Sequence, residues 1–147
     1  MSLYRLQEGS LDLDDGWQDR SVTLLVPAGL PDGVNLVVTR DDLPPGMKLD
    51  DHLARQMMSL RREMTGFTLL EDAPAELDGR PARLIEFRWV NGAAPLYQMM
   101  LVALDGNRLL NFAASSPGAA ADAETRKTLW RIISSFTFAP AAEPVPA

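Results

Sequence analysis

Residues 21–41, SVTLLVPAGLPDGVNLVVTRD, restrict the fold of this chain more than any other segment. Two runs of aliphatic residues surround a centre with two prolines and two glycines, a pattern typical of two strands joined by a loop. Successive side chains of a strand point to opposite faces of its sheet. On the first strand, Val22 and Leu24 point to one face and Leu25 points to the other. On the second strand, Leu36 and Val38 point to one face and Val37 points to the other. Both faces of this hairpin are therefore apolar, and each needs a partner to cover it.

The length and composition indicate one globular domain. The 147 residues suit a single core, and 46% of them are hydrophobic while 23% are charged. We expect residues 1–139 to form the domain and the Pro/Ala-rich residues 140–147 to form a flexible tail. Fourteen Lys and Arg against twenty Asp and Glu give a net charge of -6, which argues against a nucleic-acid-binding protein.

The sequence also shows no pattern of a secretory signal or a transmembrane span, and it contains no cysteine. The N-terminal sequence has no cationic segment followed by an apolar one, which is the pattern of a secretory signal. The chain has no run of about 18 apolar residues, so we expect no transmembrane span and no direct membrane insertion. It has no cysteine, which excludes disulfides and thiolate metal sites. A cytoplasmic location is the simplest expectation.

The segments around the hairpin follow strand and helix patterns. Asp-Gly and Asn-Gly pairs, which are strong turn signals, separate most of the predicted strands. These strands lie at 3–6, 10–13, 68–71, 81–89, 96–104 and 108–114. One helix is predicted to start at a cap on Asp50 or Asp51 and to stop at Gly66. A second is predicted at 120–134, followed by a short strand with Phe136 and Phe138.

The order of these elements predicts an α+β fold. Strands separated by short turns form an antiparallel meander, and amphipathic helices cover a sheet by burying one side. We therefore expect an antiparallel β-sheet of about six strands with two helices packed on one face.

Catalytic and metal-binding patterns are weak. His52, the only histidine, is predicted on the polar side of the first helix, where a solvated position is more common than a catalytic one. The acidic segment 12–16, DLDDG, departs from the EF-hand pattern and is better explained as a turn. Glycine motifs for phosphates and dinucleotides are absent. We expect no enzyme activity, no cofactor and no metal.

Methionine pairs and scattered polar residues give a more informative pattern. Met57-Met58 and Met99-Met100 are adjacent pairs, and methionine adapts to partners of varied shape. The polar residues beside apolar ones are Asn35 and Thr39 around Val37, Gln98 near Met100, and Gln56 on the first helix. Such a surface suits an apolar partner that also forms hydrogen bonds. Core packing explains the methionines equally well, so both interpretations stay open.

Several segments, taken in order, match one known pattern. They are LYRLQEGSLDLDDGWQDRS at the start, NLVVTRD in the hairpin, HLARQ and a later GF around the first helix, and the strands IEFRW and YQMML. In order and spacing they resemble the Eag family of type VI secretion chaperones, in the DcrB-like group with a PsbP-like fold. The resemblance extends to about residue 105, and beyond that mainly to the final helix.

The resemblance implies a non-enzymatic cytoplasmic homodimer. Eag chaperones bind the N-terminal transmembrane helices of PAAR-containing effectors, keep them soluble and aid their loading onto the VgrG spike. Carried onto this chain, the client-helix binding groove comprises Val22, Leu24, Asn35, Val37, Thr39, Gln56, Gln98 and Met100. Asn35 and Thr39 stand where serines are usual, so hydrogen bonding is kept while the preference among helices is expected to change.

Other functions compete with the chaperone. One is a DcrB-like envelope-associated protein with an unspecified binding role, which the missing signal and lipoprotein cysteine disfavour. Another is a small hydrolase or isomerase that uses His52. A third is a structural subunit whose apolar second sheet face is only a dimer interface.

Overall fold

The computed structural model describes residues 2–28, 33–118 and 122–139. These ranges contain a six-stranded sheet, a separate two-stranded hairpin and two helices. The strands are β1 (Ser2–Arg5), β2 (Ser10–Leu13), β3 (Thr23–Leu25), β4 (Asn35–Asp42), β5 (Thr68–Leu77), β6 (Arg80–Asn91), β7 (Ala94–Asp105) and β8 (Arg108–Pro117). The helices are α1 (Leu49–Glu63) and α2 (Ala123–Ser134). Among the described residues, no helix has the length and apolar character that crossing a bilayer needs.

The large sheet has the strand order β3-β4-β8-β7-β6-β5, with every pair antiparallel. The predicted meander is β5 to β8, and its first turn places Asp78 and Gly79 at positive φ. α1 carries the chain from β4 to the far edge of the sheet, and the meander then returns until β8 pairs with β4. The predicted antiparallel α+β fold is confirmed.

The two helices lie on opposite faces of the sheet, so the prediction that both pack on one face is wrong. The α1 cluster consists of Leu53, Ile85, Phe87, Met100, Val102 and Leu109. The α2 cluster includes Val38, Leu101, Phe112, Leu129 and Ile133. Neighbouring residues of β7 show the cause, because Met99 and Met100 are 4% and 5% exposed and belong to different clusters. A central strand that is apolar in both directions needs a cover on each side.

The helix ends differ from the predictions in their capping. α1 starts after Lys48, which makes no side-chain capping bond, and Asp50 and Asp51 lie within its first turn, where carboxylates interact favourably with the helix dipole. The predicted aspartate cap on α1 is therefore wrong. α2 instead has such a cap, since Asp122 Oδ1 accepts a hydrogen bond from the Thr125 amide at 2.7 Å. This bond is the main cause that lowers the pKa of Asp122.

The residues after α2 do not form the predicted short strand, but their aromatic side chains pack against neighbouring rings. The ring of Phe136 lies edge-on to Phe112 at 5.0 Å and to Phe138 at 5.0 Å. The guanidinium of Arg80 lies 3.6 Å from the ring centre of Phe138. The predicted tail at 140–147 lies outside the described residues.

A buried carboxylate joins α2 to the sheet. Glu86 of β6 is 5% exposed, and its Oε1 accepts hydrogen bonds from the Tyr97 hydroxyl and, at 3.1 Å, from Arg126 of α2. Burial is the main cause that raises the pKa of Tyr97, and the hydrogen bond to Glu86 adds to it. Because a buried charge is costly unless it is paired, these contacts let an acidic residue occupy the α2 side of the sheet.

Candidate functional site

Part of the α1 side of the sheet is not covered by either of the two helices that the structure describes. α1 begins beside the start of β6, near Arg80, and just beyond its end the Thr65 carbonyl accepts a hydrogen bond from the Val90 amide at 2.8 Å. It therefore runs along β6 and covers β6 and β7. No helix of the described residues covers β3, β4 and the neighbouring part of β8 on this side. We call this surface the open strip; its floor is Leu24, Asn35, Val37, Thr39, Ala113 and Ser115.

The open strip is about as wide as one helix. The strip lies between the edge strand β3 and β7, the nearer of the two strands that α1 covers. From β3 to β7 the sheet spans three strand spacings of about 4.8 Å, or about 14 Å. A helix with its side chains is about 10 to 12 Å across. Burial along β8 alternates accordingly. Phe112 and Ala114 are buried on the α2 side, while Ala113 and Ser115 are half-buried on the open strip. One helix can therefore lie beside α1 on this face.

The centre of the open strip is an apolar row. The strand register places Leu24, Val37, Ala113 and Met100 side by side across β3, β4, β8 and β7. Leu24, like Val22 just before β3, is 59% exposed. Ala113 gives the row a small side chain, which allows the backbone of a second helix to approach closely.

A polar row lies on one side of the apolar row. Asn35, Ser115 and Gln98 are register neighbours, and Gln98 is held at both ends of its amide. Its Oε1 accepts a hydrogen bond from Trp89 Nε1 at 2.8 Å, and its Nε2 donates one to Ser115 Oγ at 2.9 Å. Gln98 is therefore fixed in place, with lone pairs of Oε1 and Ser115 Oγ left for weak contacts to a partner.

A second polar row lies on the other side. Thr39 and Asn111 are register neighbours, and Val102 continues the row under α1. A cavity of about 90 Å³ opens here, between this row and the side of α1. Its lining is Thr39, Asp41, His52, Gln56, Val102, Leu109 and Asn111. We call it the polar pocket.

Seven of the eight predicted groove residues fall on or beside this face, although not all are accessible; Val22 lies just before β3, outside the paired strands. The strand residues among them share the α1 side, as their alternation and register require, and Gln56 reaches it from α1. Met100 is 5% exposed beneath α1 and so supports the floor without offering much surface. The sequence interpretation missed Trp89, Ser115, Asn111 and Ala113. Binding by any of these residues stays a prediction.

His52 has a different environment from the one predicted. It is half-buried and lines the polar pocket with Gln56, whereas the sequence suggested a solvated helix surface. The lining residues near it carry hydroxyl, amide and carboxylate groups. Within the described ranges no three potential ligands among His, Asp and Glu come together as a metal site.

The β1-β2 hairpin exposes a second apolar surface. Leu3, Leu6 and Leu11 are 60%, 50% and 51% exposed, and Trp17 after β2 is 70% exposed. A hydrogen bond of 2.9 Å from the Tyr4 hydroxyl to Asp19 ties the hairpin to the segment before β3. Isolated two-stranded hairpins are marginal in water, and exposed apolar patches commonly mark interaction surfaces.

Comparison with known proteins agrees with this architecture. The DcrB family model matches residues 8–135. A Pseudomonas aeruginosa protein named Effector EagT6 is 32% identical over 91 residues, which make up 60% of this chain and 63% of that protein. The match thus spans slightly less than two thirds of the relative's length.

Solved structures share the fold. PA94 of Pseudomonas aeruginosa, a protein of unknown function, has a TM-score of 0.77 and 24% identity, covering 96% of this chain and 99% of its own. CyanoP, the PsbP of Synechocystis sp. PCC 6803, has a TM-score of 0.50 and 15% identity, covering 85% of this chain and 96% of its own. The predicted PsbP-like fold is confirmed.

Proposed function

This chain belongs to the DcrB family, and we propose that it is a chaperone of type VI secretion effectors that binds and shields their N-terminal transmembrane helices on the open strip. The partial match to Effector EagT6 supports the assignment to this secretion system. In this proposal the clients are PAAR-containing effectors, the chaperone acts in the cytoplasm without catalysis, and it aids loading onto the VgrG spike through the effector.

The observation that carries the proposal is the width and chemistry of the open strip. It is about one helix wide, its central row is apolar, and a polar row borders it on each side. A transmembrane helix in water exposes apolar side chains around its whole surface, together with small residues at its close contacts. The apolar row covers the side chains, while oxygens of Asn35, Thr39 and Gln98 accept weak Cα–H contacts from the helix backbone.

The energetics favour a dimer over a single chain. Full burial of an aliphatic side chain contributes about 1.5 to 3 kcal/mol. Val22 and Leu24 are 59% exposed, so completing their burial contributes about 2 to 4 kcal/mol in total. Association costs about 4 to 15 kcal/mol. If one client supplies two helices to two chains, the second contact becomes intramolecular and that cost is reduced. The exposed apolar hairpin, with Leu3, Leu11 and Trp17, is the surface we assign to the contact between copies.

Co-expression tests the function. The probe is the apolar N-terminal segment of a PAAR effector encoded next to this chain, fused to a soluble reporter. We expect the full chain to raise the soluble yield of the fusion several-fold and to co-purify with it, with a light-scattering mass that corresponds to two chaperone chains per client. A soluble yield that is the same with and without the chain, and no co-purification, would show that the proposed function is wrong.

A further inference from the structure

The polar pocket has features that an apolar helix alone does not use. It shares Thr39 and Gln56 with the predicted groove residues, so it continues the open strip at the side of α1. Its volume of about 90 Å³ exceeds the space for one water molecule several-fold. The pocket can therefore receive the end of a polar side chain from a helix that lies on the open strip.

One atom of the pocket lacks a hydrogen bond. Asn111 Oδ1 is buried and accepts no hydrogen bond from the part of the chain that the structure describes. A buried acceptor without a donor costs about 1 to 3 kcal/mol. Asn111 stands beside Thr39 in the register, at the edge of the row where a client helix would pack. The residue is therefore poised to accept a hydrogen bond from a donor on the client.

The other groups of the pocket favour a cationic donor. Its lining includes the carboxyl group of Asp41 and the imidazole of His52. Thr39 and Gln56 add further oxygens that accept hydrogen bonds. An ammonium group supplies three donors and one positive charge, which complements a carboxylate and several neutral acceptors.

We propose that the polar pocket binds the ammonium group of a lysine that flanks the apolar segment of the client. The inference rests on the proposed function, because it needs a helix on the open strip. Transmembrane helices commonly carry lysine or arginine at their ends, where the long side chain extends away from the apolar surface. The pocket lies beside the apolar row, so a flanking lysine would reach it while the apolar residues cover Leu24, Val37 and Ala113. The ammonium would then set the position of the helix along the open strip.

A competition experiment tests this assignment. Two reporter fusions carry the same segment of about 20 leucines and alanines, one with a single lysine at its end and the other with glutamine in that place. A second pair puts the residue at the opposite end. Both members of a pair are co-expressed with the tagged full chain, and mass spectrometry gives the ratio that co-purifies. In one of the two pairs we expect about fivefold enrichment of the lysine segment, since a charge-assisted hydrogen bond to the partly exposed Asp41 is weakened by solvent.

Two variants and one matched control locate the effect. Asp41→Asn and Asn111→Leu are each expected to bring the ratio towards one while total binding persists. Asp42→Asn is the control, because Asp42 is the next residue of β4, is exposed and points to the other face. If Asp42→Asn lowers the ratio as much as Asp41→Asn, general attraction to an acidic protein explains the enrichment, and the pocket is not the site.

The remaining outcomes separate the two proposals. If both segments co-purify with wild-type chain at a ratio of one in both pairs, the pocket inference is overturned and the chaperone function stands. If neither segment co-purifies with the wild-type chain, the proposed function fails and the pocket inference fails with it. Should Asn111→Leu fail to fold, Asp41→Asn alone decides the question, because its exposed side chain carries little of the fold.

Discussion

Replacing Val22 and Leu24 together by aspartate is expected to abolish protection of an apolar client segment while the protein stays folded. Both side chains are 59% exposed, so the fold loses little when they change. In the complex the change removes about 2 to 4 kcal/mol of apolar burial, a loss of about 30- to 10³-fold in affinity, and it places carboxylates against an apolar helix. The soluble yield of the co-expressed segment measures protection of the client. Circular dichroism of the free chain measures whether the variant stays folded.

Leu25→Asp is the matched control for that pair. Leu25 lies next to Leu24 on β3 and is 52% exposed, but it points to the α2 side. We expect the Leu25→Asp chain to protect the client as well as the wild type does. If the double variant still protects the segment, or if Leu25→Asp removes protection equally, the open strip is not the client site.

Tyr97→Phe is expected to cost about 1 to 3 kcal/mol of stability at pH 7, because the buried carboxylate of Glu86 then loses its hydroxyl donor. The difference in stability between the wild type and Tyr97→Phe should shrink at alkaline pH. The folded-state pKa of Tyr97 is raised above its ordinary value of 10.0, mainly by burial. The unfolded chain therefore releases the tyrosine proton first, and wild-type stability falls as pH rises above 10 by up to about 1.4 kcal/mol per pH unit.

Urea unfolding at several pH values between 7 and 11.5 measures this dependence. The chain has two tyrosines, and Tyr4→Phe serves as the control because it leaves Tyr97 and Glu86 intact. The Tyr4→Phe chain should follow the alkaline loss of the wild type, whereas Tyr97→Phe should lose less. Equal slopes for Tyr97→Phe and the wild type above pH 10 would show that Tyr97 does not titrate differently in the folded state.

Local patterns predicted the elements of this fold but not how both sheet faces are covered. Alternation in the hairpin correctly separated Leu36 and Val38, which lie with α2, from Val37 on the open strip. The same alternation could not show which helix covers which face, because that depends on strand order. β4 pairs with β8 across some 70 residues of chain, and no local signal encodes that pairing.

The sequence interpretation missed some site residues for the same reason, because their contacts depend on how strands pair. Gln98 was recognised from its neighbours on β7, but Ser115 and Trp89, which hold its amide, lie on β8 and β6. Small residues in the run AASS, at 113–116, were the available signal, since alternation places Ala113 and Ser115 on one face. The unpaired acceptor of Asn111 depends on cross-strand register and on α1, so the sequence carried no signal for it.

Photocrosslinking from adjacent positions of β3 tests the central claim most directly. A photoreactive amino acid replaces Leu24 in one chain and Leu25 in another, and each chain is co-expressed with the apolar segment of the effector. Both positions are about equally exposed and differ in the face they occupy. If the client helix lies on the open strip, position 24 should form an adduct with the apolar segment and position 25 should form little. Equal adducts from both positions, or an adduct from position 25 alone, would contradict it.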